Sequence, residues 1–438
     1  MDWMYPVGII CSLSLIIFLA LRGYSILVIG PVCTLLVIVT NQMDIAKALF
    51  TDKASYMMGV GGFITKYFII FLLGAILAKY MEDSGAARSI SNYMLKLTGT
   101  EKPFRVLLAV FIISSLLTYG GINVFVAMFA IVPLARPLFR ALNIPWHLIM
   151  IPIPLGLATY TMSMLPGAPS IHNIIPTTVL GTTLMAAPLV GIVAAIVTVT
   201  FGLWYMKVSF VKAQKANEGY TVTAADEKLI DTQNLPPLGG SLVPMITLLV
   251  IIFVGSFLKI PNIILIALCV AIIIAAIGFN RYITKHSVTI NAGALGSVTP
   301  AIFTAAAVGF GIVIAQSPGF TVISGWISAI PGGPLIKLSV ATGLMSAVTG
   351  SSAGSLGIIM EAFAKQYLAQ GVNPEVLHRI AAIASNPLAA MPHSGAVLTL
   401  LAITGLTHKD AYRHIFITVC VGGLLSLTAA LVVVSLTY

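Results

Sequence analysis

The sequence predicts an all-α polytopic membrane protein built from two inverted repeats, each with five membrane crossings, a broken helix among them, and one re-entrant helical hairpin. Three observations lead there. The 438 residues are 58% hydrophobic and only 8% charged, with a mean hydropathy of +1.04; a soluble domain carries about 25% charged residues. Stretches long enough to span a bilayer, about 17–25 residues, recur along the whole chain. The same helix breaks also occur in the same order in both halves. Disorder is excluded by the same composition.

The first half, residues 1–206, opens with apolar runs over Tyr5–Leu21, Ser25–Thr40 and Gly62–Lys79. A block over 104–142 is too long for one crossing and is interrupted by Thr118-Tyr119-Gly120-Gly121-Ile122-Asn123, the pattern of a hairpin turning at membrane depth. Such unwound backbone is tolerated only where protein or a wet cavity satisfies it. A Gly/Pro-broken segment over 148–180 and a run over Leu184–Met206 complete the half. Residues 207–241 form a polar linker.

The second half, 242–438, repeats the order: Leu242–Leu258, Ile260–Phe279, Gly296–Gln316, a hairpin block over 335–371, a broken segment over 376–404, and Ala411–Leu436. Its hairpin is interrupted at Thr349-Gly350-Ser351-Ser352-Ala353-Gly354. Aligning Gly121 with Gly350 also aligns Pro145 with Pro374 and Leu148 with Leu377. Met164-Leu165-Pro166-Gly167 corresponds to Ala390-Met391-Pro392-His393 after a small gap. An odd number of crossings per half inverts the second repeat, as in many secondary transporters.

Charge placement supports that topology. With the N-terminus outside, sixteen of the 23 basic residues fall in cytoplasmic segments and seven on the other side, the bias that orients membrane proteins. Both termini are therefore expected outside a bacterial inner membrane. The formal +10 charge would point to nucleic acid in a soluble protein; here it records topology, and no nucleic-acid partner is expected. The start lacks a basic n-region and a cleavage site, so the first helix reads as an anchor. Cys11, Cys33, Cys269 and Cys420 lie in separate apolar runs without metal-ligand spacing, which predicts no metal and no cofactor. Arg88–Leu97 and Phe320–Ile330 show amphipathic spacing and read as helices lying in the interface.

Broken helices supply free N–H and C=O ends at the bilayer midplane, and half-helix N-termini favour anions. The two tips and the two broken segments therefore carry the candidate substrate-binding residues. These are Gly120, Gly121 and Asn123; Gly350, Ser351 and Ser352; Gly167, Ser170, His172 and Asn173; and Asn386, His393 and Ser394. Ser385 lies beside the last group. The competing reading is that the small residues only permit close helix packing, which is common in membranes.

Among 13 acidic residues only Glu361 falls where a membrane arm is expected, about 15 Å from Ser351 at 1.5 Å per residue. An intramembrane acid is a functional candidate, although Lys365 one turn on offers it a partner. The candidates for proton coupling are thus His172, His393 and Glu361, histidine because its unperturbed titration lies near neutrality. His147, His286, His378, His408 and His414 are placed at loop edges. Gly350-Ser351-Ser352-Ala353-Gly354 matches G-x-S-x-G, but a nucleophile elbow needs a strand before it and no alternating pattern precedes this one. A membrane-embedded hydrolase, with Ser352 as nucleophile and His393 as base, is rejected on that ground.

Three stretches resemble the gluconate permease family. They are Gly74–Arg88 with its Glu82-Asp83-Ser84-Gly85-Ala86 ending, Leu165-Pro166-Gly167-Ala168-Pro169-Ser170, and the Gly350-Ser351-Ser352-Ala353 tip. The resemblance spans nearly the whole chain and implies proton-coupled uptake of gluconate or related hydroxy- and keto-carboxylates. It also implies a homodimer with a fixed scaffold and an elevator-like moving part. Na⁺ coupling and a passive anion channel are the alternatives within transport. Two departures stand out: Pro166 replaces the family's histidine, and His393-Ser394-Gly395-Ala396 replaces Asn-Asp-Pro-Gly. The lost polar groups predict a smaller, less hydroxylated acid, such as 3-hydroxybutyrate or lactate.

Overall fold

The protein is seen in a computed structural model that describes residues 3–90, 93, 103–119, 124–168, 170–220, 235–258, 260, 262–329 and 331–438. No strand occurs among the described residues, so the sheet that a nucleophile elbow requires is not present there. The first half contains α1 (Met4–Leu21), α2 (Ile26–Thr40), a π-turn at Lys47–Thr51, α3 (Tyr56–Asp83), α4 (Phe104–Tyr119) and α5 (Val124–Ala141). A 3₁₀ turn at Trp146–Met150, α6 (Pro152–Leu157), α7 (Tyr160–Ser163), α8 (Ile171–Leu180) and α9 (Pro188–Lys215) follow.

The second half contains α10 (Leu238–Phe257), α11 (Ile263–Gly278), α12 (His286–Gln316), α13 (Pro318–Ala329), α14 (Pro334–Thr349) and α15 (Ser352–Ala369). It ends with α16 (Pro374–Ala384), a 3₁₀ turn at Pro387–Ala390, α17 (Gly395–Thr404), α18 (His408–Ile415), a π-turn at Phe416–Val421 and α19 (Gly422–Thr437). The arms of both expected hairpins are present, as α4/α5 and α14/α15. Both broken segments are broken, the second bent by 50° between its two parts.

Among the described residues, five helical stretches are long and apolar enough to cross a membrane: Met4–Leu21, Lys47–Asp83, Pro188–Lys215, His286–Gln316 and His408–Thr437, with the bent pair making a sixth. The sequence predicts ten crossings. The difference comes from α2 and α11, apolar but only 15 and 16 residues long, from α10, counted as apolar only over Leu238–Ile252, and from prolines and glycines that divide the first broken segment into short pieces. Fifteen residues give about 22 Å of helix, less than the roughly 30 Å hydrocarbon core. The linker also starts later than predicted, because α9 continues to Lys215. Lys212 and Lys215 in its last turn complement the negative helix end.

The long helices α3 and α12 pack along their lengths and form the centre of the molecule. Small residues let their backbones approach, as is usual in membranes. A Cβ on Gly309 would lie 2.7 Å from the Tyr56 carbonyl, and one on Gly293 would lie 2.7 Å from Ile76 Cα. Around this pair the halves interlock. The return arm of the first hairpin, α5, packs on α17 of the second broken segment, and α15 packs on α8 of the first. The hairpin arms and broken segments are thus packed together. Of the two expected interfacial stretches, α13 is a helix whose Phe320 and Ile323 pack on the core while Trp326 is exposed. The other stretch falls largely outside the described residues.

Candidate functional site

The second hairpin turns at Gly350, where φ is +59°, a left-handed conformation that glycine adopts without cost. Ser351 then caps α15: its side chain accepts from Gly354 N–H at 3.2 Å. The first intrahelical bond runs from Ser355 N–H to the Ser351 carbonyl, so the N–H groups of Ser352 and Ala353 precede it and lack an intrahelical partner. The Ser352 side chain is half-buried. One turn further from the tip, Ser346 and Ser355 join the two arms by a 2.6 Å hydroxyl contact.

This tip sits on the second break. A Cβ at Gly350 would lie 3.0 Å from Ser394 Cα and 3.5 Å from His393 Cδ2. Ser394 is buried and stands at the N-cap of α17 without a side-chain cap bond. His393 is fully buried, with its ring edge-on to Phe310 at 6.0 Å between centroids. Its nitrogens face the Ala347 and Val348 carbonyls at the end of α14 without reaching a hydrogen bond of normal geometry.

The two broken segments meet each other. Asn386, in the second, donates to the Thr159 carbonyl at 3.2 Å and to Ser163 Oγ at 3.1 Å in the first. Arg379 on α16 is fully buried and reaches across in the same way. Its guanidinium donates to the carbonyls of Ser163 (3.3 Å), Leu184 (3.1 Å) and Ala186 (3.0 Å), and to Asn173 Oδ1 (2.9 Å). Asn173 in turn donates to the Ala168 carbonyl at 2.9 Å. Both polar atoms of Asn173 are thus engaged inside the protein, which gives it the part of holding Arg379. Among the described residues no carboxylate pairs with this arginine; Glu375, one turn earlier, accepts from Ala187 N–H at 3.4 Å instead.

The remaining sequence candidates divide as follows. Ser170 donates to the Met162 carbonyl, and Gly167, at φ +80°, receives the Leu184 carbonyl on its N–H at 3.0 Å. His172 is buried near the start of α8 with Nδ1 unpartnered. Ser385 is buried and donates to the Ala382 carbonyl at 2.8 Å. Gly120, Gly121 and Asn123 lie outside the described residues, as does the Glu361 side chain, although Glu361 is placed on α15.

Sequence reasoning missed Arg379, which it counted only as a basic residue outside. The signal was available: Arg379 lies within the 376–404 segment already assigned to the membrane, where a charge is a functional candidate by default. His378 needs correction too. It is no loop-edge residue but fully buried, with Nδ1 2.7 Å from Thr182 Oγ1. His147 and His414 likewise join one chain. Their rings stack at 5.2 Å with a 3.0 Å nitrogen contact, flanked by Glu218 at 3.2 Å and Tyr205 at 2.9 Å.

The arrangement offers a serine-capped helix N-terminus, buried histidines and a buried cation that has no acidic partner among the described residues. Comparisons with known proteins agree in kind. A family model described as GntP family permease matches residues 4–436. The uncharacterized transporter YxjC of Bacillus subtilis is 33% identical, over 93% of this chain and 94% of its own. An uncharacterized transporter of Haemophilus influenzae is 26% identical, over 90% and 86%. The crystal structure of the Alcanivorax borkumensis YdaH transporter aligns over 87% of both chains at 12% identity, with a TM-score of 0.38.

Proposed function

The chain belongs to the GntP family of permeases, and on that premise we propose that it is a secondary active transporter carrying a small organic carboxylate together with a proton. Two observations carry this reading: the serine-capped second tip sits on the second break, and the two broken segments are joined by a buried arginine that has no acidic partner among the described residues. Free N–H groups and an uncompensated cation both favour an anion. Ser351 and Ser352, with Asn123 from the first tip, are the donors assigned to the carboxylate. The hairpins and broken segments, interlocked as they are, form the part that moves against α3 and α12 in an elevator motion. Both termini lie outside, the halves are inverted repeats, and the working unit is a homodimer.

The three proton-coupling candidates differ in their surroundings. His172 is the second residue of α8, at the positive end of that helix, where an imidazolium is disfavoured. His393 faces the terminal carbonyls of α14, the negative end, where an imidazolium gains both hydrogen bonds and dipole stabilisation. His393 is therefore the coupling site in this reading. His393→Gln is expected to abolish accumulation driven by a pH gradient while substrate exchange between equal pools continues. Unchanged gradient-driven accumulation in that variant would remove His393 from the coupling step.

The substrate is tested by uptake into proteoliposomes. A panel should run from gluconate to lactate and 3-hydroxybutyrate, with pH and Na⁺ gradients imposed separately. Short hydroxy acids are expected to outcompete gluconate, because Pro166 and His393-Ser394 offer a polyhydroxylated acid fewer hydrogen bonds. Preference for gluconate would sink that assignment. Accumulation driven by Na⁺ alone would sink proton coupling, and uptake without uphill accumulation would make the protein a channel.

A further inference from the structure

A cavity of about 650 Å³ opens among α3, α5, α12 and α17, away from the contact between the second tip and the second break. Its volume lies within the roughly 300–1,000 Å³ of ligand pockets. The walls are apolar and mostly small, with Ala78 on α3, Val132 on α5, Gly296 on α12 and Ile403 on α17. The charged lining is unequal: Lys79, Arg88, Arg136 and Arg140 against Glu82. Lys79 is offset locally, pairing with Glu82 at 3.4 Å and with Asp83 at 2.8 Å. Arg136 caps α17 by donating to the Thr404 carbonyl at 2.7 Å, with its guanidinium 4.6 Å from the Trp146 ring centre. Arg88 and Arg140 also lie on the lining.

Phe129 is part of the cavity wall. Its ring is 5.9 Å from that of Phe71, which lies 4.8 Å from Phe125.

We propose that this cavity is an anion vestibule, the compartment in which a carboxylate waits on the side of the membrane that carries the basic segments, with Arg140 drawing it in and Phe129, backed by Phe71 and Phe125, forming its aromatic wall. The identity of the waiting anion as the transported solute rests on the reading in the preceding subsection; the vestibule's charge and access do not. Low-dielectric walls bearing one excess sign focus the field and raise the local concentration of the opposite ion.

Gly296 gives the test a clean position, because a Cβ there meets nothing within 4 Å. Gly296→Cys is made with the exposed Cys11 and Cys269 replaced by Ala. It is then labelled in inside-out and right-side-out vesicles with sulfonatoethyl and trimethylammonioethyl methanethiosulfonate. The expected result is labelling from the side of Arg88 and Arg140. After correction for reactivity with a small free thiol, the anionic reagent should be faster by on the order of tenfold. Arg140→Gln should bring that ratio down toward one. Equal rates, a preference for the cationic reagent, a ratio insensitive to Arg140→Gln, or no labelling from that side would overturn the proposal. Since labelling needs no transported solute, a protein that fails the carboxylate panel yet shows the anionic preference keeps its vestibule and loses only the substrate assignment.

Discussion

Arg379→Met is expected to abolish uptake and to lower the melting temperature of the purified protein markedly. The methionine fills a similar volume, so the loss is one of polar partners. Four acceptors, the carbonyls of Ser163, Leu184 and Ala186 and the Asn173 amide oxygen, would be left in a site closed to water. Each orphaned buried acceptor costs about 1 kcal/mol or more, so the sum is roughly 4 kcal/mol. That is a large share of the roughly 5–15 kcal/mol that holds a typical folded protein together. The acceptors come from α7, α8 and the loop before α9, while the donor stands on α16, so the loss falls on the junction between the two broken segments. Arg379→Lys keeps the charge but offers one compact ammonium in place of a planar fork. It should recover part of the stability. Were the charge also felt by the substrate, Arg379→Lys would keep the parent KM while Arg379→Gln raised it. Equal melting temperatures for Arg379→Met and the parent protein, measured in the same detergent, would refute the clamp.

Much of the fold was legible because the breaks announce themselves locally. Gly350 permits the left-handed turn of the tip, and Pro166-Gly167 and Pro392 stand at breaks, although proline alone does not decide a break, since Pro133, Pro137 and Pro300 lie inside helices. The block read as 335–371 holds helices over 334–349 and 352–369. Helix length was less legible. The apolar run Gly62–Lys79 becomes a helix over Tyr56–Asp83, since glycines at one end and Glu82-Asp83 at the other continue the backbone pattern without adding hydropathy.

The least legible features are the long-range polar contacts. Nothing near Asn386 in sequence indicates that its partners are Thr159 and Ser163, more than 220 residues earlier. The same holds for the His147–His414 pair. Side chains of this kind look alike whether they face a ligand, a helix end or another side chain. Asn173 shows the consequence: residue type and a neighbouring break nominated it for the substrate, and the structure engages it with Arg379 and Ala168.

Gly350→Val is expected to stop transport while leaving a folded protein, because it acts at the contact between tip and break. A β-branched residue at φ +59° sits in the left-handed region, at a cost of roughly 1–2 kcal/mol. Its Cβ would also press on Ser394 Cα from 3.0 Å, against backbone that begins α17. Gly395 next to it is held in place by Thr304, whose hydroxyl donates to the Gly395 carbonyl at 3.1 Å, so α17 has little room to retreat. The tip must therefore lift, taking Ser351 and the open end of α15 away from His393. Gly357→Val supplies the comparison: it lies on the same hairpin arm, and its Cβ meets nothing within 4 Å. Uptake by Gly357→Val should stay near that of the parent protein while Gly350→Val falls by at least tenfold, about 1.4 kcal/mol in transition-state terms. Equal uptake by the two variants would mean that the tip can part from the second break without consequence. The carboxylate would then have to be held elsewhere than between Ser351, Ser352 and Ser394.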